Sequence, residues 1–139
     1  TILDDLGLVA GLRALAEALE SEGYAVTIRL DSDVTVWPTN VETALYRVAQ
    51  EALTNIRKHA GGPCAVTIAL SAQGAAGQGV MQIADDGRGP GSAASSPDGR
   101  AQFGIEVMRE RMASIGGALT WQAGERGGVL IRATFPRLA

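Results

Sequence analysis

Leu45, Val48, Ala49, Ala52, Leu53 and Ile56 recur at steps of one, three and four residues. At about 100° per residue they fall on one stripe of an α-helix. The pattern opens after Trp37-Pro38, where Thr39 with Glu42 makes a capping-box candidate, and closes near Ala60 before Gly61-Gly62-Pro63. Around the helix the period becomes two. Tyr24, Val26, Ile28 and Leu30 alternate within residues 24–30, and strands are expected again at 64–71 and 79–86. A helix with a single apolar stripe, set among alternating strands, buries that stripe against a sheet.

The remaining segments fit the same plan. Leu8, Leu12, Leu15, Ala16 and Leu19 predict a helix within residues 6–23, stopped by Gly23. Residues 87–104 carry glycine, serine and proline without apolar periodicity, a length that in a compact domain marks a functional or disordered loop. A helix is expected over 105–117, closed by Gly116-Gly117, and then a hairpin of strands 118–124 and 128–136. The order αβαββ–loop–αββ predicts an α/β two-layer sandwich, a mixed sheet covered on one face by helices.

At 139 residues the chain has the length of one domain. A net charge of −3 argues against binding to duplex DNA or an anionic membrane through bulk charge. No apolar run reaches the ~18 residues of a membrane span, and the N-terminus lacks a signal-peptide pattern. Cys64 is the only cysteine, which leaves no internal disulfide and makes an intracellular compartment the default. A first residue of Thr1 leads us to expect a piece of a longer protein.

Three polar elements interrupt this pattern. Arg47, Glu51, Asn55 and Lys58 form a ridge beside the apolar stripe of the long helix, with His59 on the border. An ordinary solvated face would look the same, but Asn is a mediocre helix former whose amide competes for backbone hydrogen bonds. The second element is Asp85-x-Gly87-x-Gly89, where a strand runs out into carboxylates and glycines. It could be a plain turn. No P-loop or helix-opening G-x-G-x-x-G accompanies it; a strand-end carboxylate can accept from an exocyclic amine such as adenine's. The third is Gly104 before the helix beginning at Ile105, whose first N–H groups make a natural phosphate seat with Arg109 and Arg111 nearby. Ile105, Met108, Met112 and Ile115 would face the core of an ordinary amphipathic helix.

In this order, "RVAQEALTNIRKHA", "IADDGRGP" and "FGIEVMRERM" resemble the N box and two glycine boxes of the catalytic ATP-binding domain of sensor histidine kinases. These belong to the GHKL ATPases, and the M-R-E-R form is similar to the subfamily pairing with LuxR-type response regulators. The resemblance covers roughly residues 24–136. It implies the Bergerat fold, with residues 24–139 as the ATP-binding domain, a flexible ATP lid at about 88–103, and residues 1–23 as a junction helix after dimerisation helices. Carried over by position, Asp85 would bind the adenine N6 amine, and Gly87 and Gly89 would shape the adenine side. Asn55 would ligate Mg²⁺, its amide oxygen being a suitable hard ligand. Glu51 would be catalytic, orienting a metal-bound water or polarising the reacting groups. Lys58 and His59 would contact phosphate oxygens. Gly104 would meet the phosphates once the lid closes, and Ile105 and Met108 would complete the nucleotide contacts.

The resemblance further implies ATP and Mg²⁺ as cofactors and a cytoplasmic domain, monomeric by itself, from a homodimeric parent that can be membrane-anchored. Nucleic acid and direct membrane contact are not expected. The γ-phosphoryl group would go to a histidine on a separate dimerisation helix, then to an aspartate of the response regulator. His59, the one histidine, lies in the N box and is not at the acceptor position. Many relatives carry a threonine near the start of the last strand to assist the adenine aspartate, where this chain has Val129. Two alternatives are a stand-alone serine kinase of the anti-sigma type and a non-catalytic nucleotide-sensing module.

Overall fold

The structure is a computed structural model that describes residues 2–31, 37–72, 74, 77–88 and 100–136. Its elements are α1 (Ile2–Ser21), β1 (Ala25–Leu30), α2 (Thr39–His59), β2 (Ala65–Ser71), β3 (Gly79–Asp85), α3 (Arg100–Ala113), β4 (Ala118–Ala123) and β5 (Val129–Phe135). The strands form one five-stranded sheet in the order β1-β2-β3-β5-β4. β1 and β2 run parallel, so a crossover must join them, and α2 supplies it. All other neighbours are antiparallel.

The expected α/β sandwich is what forms. One row across the inner face reads Ile28, Ile68, Ile83, Ile131 and Trp121, and the next reads Leu30, Leu70, Met81, Ala133 and Leu119. Against these rows α2 buries the predicted stripe, Leu45, Val48, Ala49, Ala52, Leu53 and Ile56. Leu8, Leu12 and Leu19 of α1 and Met108 and Met112 of α3 belong to the same core. Each fully buried Leu, Ile or Met contributes about 1.5–3 kcal/mol relative to its exposed state, which makes this continuous core the main source of stability.

Three local expectations are corrected. The long helix takes Pro38 as its N-cap, with no side-chain cap, so Thr39 is helical and does not close a capping box. Proline presets the entry angle, and Glu42 reaches back past the expected cap residue, its Oε2 accepting from the Trp37 N–H at 3.3 Å. The first helix starts at Ile2, ahead of the expected residue 6, and bends at Gly7, where φ is +86°. The third helix begins at Arg100 instead of Ile105. Gly104 therefore lies inside it, because one glycine costs an α-helix only about 1 kcal/mol and does not end it. Of the expected lid, residues 89–99, Gly89 among them, lie outside the described residues, and 100–103 form the first turn of α3.

Candidate functional site

Along β3 the side chains of Met81, Ile83 and Asp85 point to the helix-covered face, by the two-residue period of a strand. The first two are core residues, and the third is a carboxylate exposed by only 8%. It is the one buried charged or polar side chain among the described residues. Burying a carboxylate is costly unless its oxygens find donors, and two backbone groups provide them. The Gly87 N–H donates to Asp85 Oδ1 at 3.0 Å, and the Val129 N–H donates to Oδ2 at 3.2 Å. Burial pushes the Asp85 carboxyl above its ordinary value of 3.8, assisted by the charge of Asp86 and opposed by the two N–H donors. Each oxygen keeps a lone pair for a further donor.

The Val129 bond lies where the sequence departs from its relatives. There the main chain of β5 donates to the aspartate, a bond that does not depend on the side chain. The approach is close enough to require glycine before it. At Gly128, with φ at +71°, a Cβ would sit 2.2 Å from the Asp85 carbonyl oxygen and 2.4 Å from Oδ1. Sequence reasoning did not select Gly127 or Gly128. Their signal was the glycine pair just ahead of the last strand, read there only as part of a hairpin.

The glycine loop after Asp85 docks on the end of α2. The Arg88 N–H donates to the Ala60 carbonyl at 2.8 Å, and a Cβ on Gly87 would lie 2.6 Å from that of Ala60. Gly87 thus serves contact with the helix as much as the pocket, and Ala60 is a second residue that the motifs did not single out. Arg57, also at this end of α2, grips Glu22 beyond α1 through both carboxylate oxygens, at 2.9 to 3.1 Å.

Nine and five residues before Ala60 on α2, Glu51 and Asn55 are half-buried beneath α3. A Cβ on Gly104 would sit 2.8 Å from Glu51 Oε1, 3.3 Å from the Asn55 amide nitrogen and 3.5 Å from its Oδ1. The fold brings Gly104, expected to meet phosphate, against Glu51 and Asn55. As the fifth residue of α3, Gly104 has its N–H directed at the preceding turn by helical geometry, and its lack of a side chain admits the two polar groups. Lys58 is exposed and His59 half-buried on the last turn of α2. Ile105 and Met108 lie in the core at 9% and 0% exposure, the apolar face expected of this helix.

α2 therefore relates two polar clusters, one at Glu51, Asn55 and Gly104 and one where Ala60 meets the Asp85 loop. Its rise of about 1.5 Å per residue sets Ala60 roughly 7 Å beyond Asn55 along the axis. Among the described residues no group of three or more His, Cys, Asp or Glu side chains could hold a metal ion. Mg²⁺ still fits the donor set, since it keeps water and phosphate oxygens and needs only one or two protein oxygens. Asn55 Oδ1 and the Glu51 carboxylate are the oxygens gathered there.

The family described as "Histidine kinase-, DNA gyrase B-, and HSP90-like ATPase" matches residues 40–139. Sensor histidine kinase MctS of Rhizobium johnstonii is 36% identical over 139 residues, covering 99% of this chain and 29% of its own. Signal transduction histidine-protein kinase/phosphatase UhpB of Salmonella typhimurium is 36% identical over 122 residues, 85% of this chain and 23% of its own. The chain thus spans less than a third of the length of either relative. Among solved structures, the histidine kinase domain of a blue-light activated kinase of Erythrobacter litoralis shares the fold, with a TM-score of 0.71 at 20% identity. That match covers 93% of this chain and 60% of the other.

Proposed function

This chain belongs to the histidine kinase-, DNA gyrase B- and HSP90-like ATPases, the ATP-binding family whose match spans residues 40–139, and on that premise we propose that it is the catalytic domain of a two-component sensor histidine kinase. It holds Mg-ATP and donates the γ-phosphoryl group to a histidine on a separate dimerisation domain, for relay to an aspartate of a LuxR-type response regulator. The observation that carries this reading is Asp85, a carboxylate set in an otherwise apolar row and held by two backbone N–H groups.

In the proposed complex the adenine N6 amine donates to Asp85, while Gly87, and Gly89 in the loop beyond it, leave room for the base. The triphosphate lies along α2 toward Asn55. Lys58 and His59 face phosphate oxygens, and Asn55 Oδ1 is the protein ligand for Mg²⁺, which when bound offsets phosphate charge. Glu51 polarises the reacting groups one turn away. Gly104 and Ile105 border the phosphates, and Met108 backs them. Transfer breaks the bond between the γ-phosphorus and its bridging oxygen and forms a phosphorus–nitrogen bond to the acceptor imidazole, leaving ADP. Such transfer depends mostly on positioning and charge stabilisation.

Labelled ATP mixed with this chain and a separately made acceptor-helix dimer is expected to place label on a histidine of the dimer and none on this chain. Label on a serine of a partner, or on nothing, would overturn the kinase assignment. The metal role is tested separately. Asn55→Ala is expected to weaken nucleotide affinity about tenfold or more in Mg²⁺, the scale of a lost charge-assisted contact, with a smaller loss in EDTA. Equal losses under both conditions would make Asn55 a structural residue.

A further inference from the structure

We propose that Asp86, by completing the β2–β3 ladder with its side chain, is a positioning residue that holds Asp85 where it can select adenine. The inference rests on the reading of Asp85 given above. In a hydrogen-bonded antiparallel pair, two opposed residues each donate an N–H to the other's carbonyl. Ala65 and Asp86 make only half of that exchange through the main chain, the Asp86 N–H donating to the Ala65 carbonyl at 3.1 Å. The return bond goes from the Ala65 N–H to Asp86 Oδ1 at 2.8 Å. The side-chain oxygen stands in for the backbone carbonyl.

The substitution frees the chain to leave the sheet at once. The Asp86 carbonyl turns toward the β4–β5 hairpin, 3.8 Å from where a Cβ on Gly127 would be. Gly87 follows in a turn that carries its N–H back to Asp85 Oδ1. Were residue 86 to pair in the ordinary way, the strand would continue and that N–H would be directed elsewhere. The Ala65–Asp86 clasp thus fixes one of the two donors that orient the buried carboxylate. Asp85 can accept from the amine at C6 of adenine, whereas the carbonyl that guanine bears there would meet it acceptor to acceptor. Loosening the clasp therefore erodes the choice of base.

Calorimetric titration of the chain with ATP and GTP tests this. Asp86→Ala is expected to weaken ATP binding about tenfold and to shrink the ATP-over-GTP preference by a similar factor. Asp86→Asn, whose amide oxygen can still accept from Ala65, should retain both. Asp86→Glu keeps the charge but displaces the oxygen, so it should behave like the alanine variant, and it serves in its place if that variant fails to fold. An unchanged base preference in Asp86→Ala or Asp86→Glu overturns the inference, as does Asn being as damaging as Ala. The underlying reading has its own control. ATP affinity that survives Asp85→Ala sinks the adenine assignment itself, whereas loss with Asp85→Ala alone sinks only the role of Asp86.

Discussion

Replacing Asp85 by alanine is expected to abolish ATP binding while leaving a folded domain. The carboxylate is the proposed partner of the adenine amine, and a hydrogen bond to a charged group contributes about 1.5–3 kcal/mol. Its loss, together with the loss of the group that orders the Gly87 turn, should remove any calorimetric signal for ATP. Micromolar affinity retained by the variant would rule out Asp85 as the base contact. The fold should persist because the core rows and the α2 stripe are untouched. What the variant leaves behind is two N–H groups, of Gly87 and Val129, without their acceptor, a cost of at most about 1–3 kcal/mol each.

The same variant carries a prediction in pH. Burial raises the Asp85 carboxyl in the folded chain. A group raised on folding favours the folded state fully below its unfolded value, and that contribution is lost as the pH rises through the folded value. In urea unfolding without nucleotide, wild type should therefore exceed Asp85→Ala by more in acid, near the ordinary aspartate value, than at neutral pH. Comparison with the variant cancels the other carboxyls. A difference that stays level or grows toward neutral pH would contradict the assigned effect of burial.

Gly128→Ala is expected to be the most damaging single-methyl change at this site. Two penalties combine there. The backbone has φ at +71°, and the added Cβ would fall 2.2 Å from the Asp85 carbonyl and 2.4 Å from its carboxylate. Neither backbone oxygen nor tightly held side chain can yield without moving the end of β3. We expect a loss of about 2–4 kcal/mol in stability, and ATP affinity falling with it as Asp85 is displaced. Gly116→Ala separates the penalties, since Gly116 has φ at +75° and, among the described residues, only Pro136 within 4 Å of an added Cβ, at 3.9 Å. That control should lose the smaller, conformational part of the stability and none of the affinity. Equal behaviour of the two variants would show that close approach to Asp85 has no consequence of its own.

Several features were legible because they follow from local periodicity. The α2 stripe, the alternation in β1, β2 and β3, and the hairpin of β4 and β5 each lie in a short window, where spacing decides which side chains share a face. The association of Glu51 with Asn55 was similarly accessible, since four residues on a helix is one turn. Capping was less so. Thr39 and Glu42 have the spacing of a reciprocal cap, but Pro38 competes for the same end and prevails through its fixed φ.

The layer architecture and the polar positions on α2 and β3 could be read from residue order, because helical and strand periods assign faces without reference to distant chain. What those positions touch emerges from the assembled fold. That Asp85 is served by a backbone N–H of β5, that Gly87 is filled by Ala60, and that Gly104 lies within α3 against Glu51 and Asn55 all depend on segments brought together by folding. A backbone donor belongs to every residue except proline, so no residue type announces it. Only when the sheet is assembled, with β5 laid beside β3, does that donor acquire an acceptor and the buried carboxylate a reason to be tolerated.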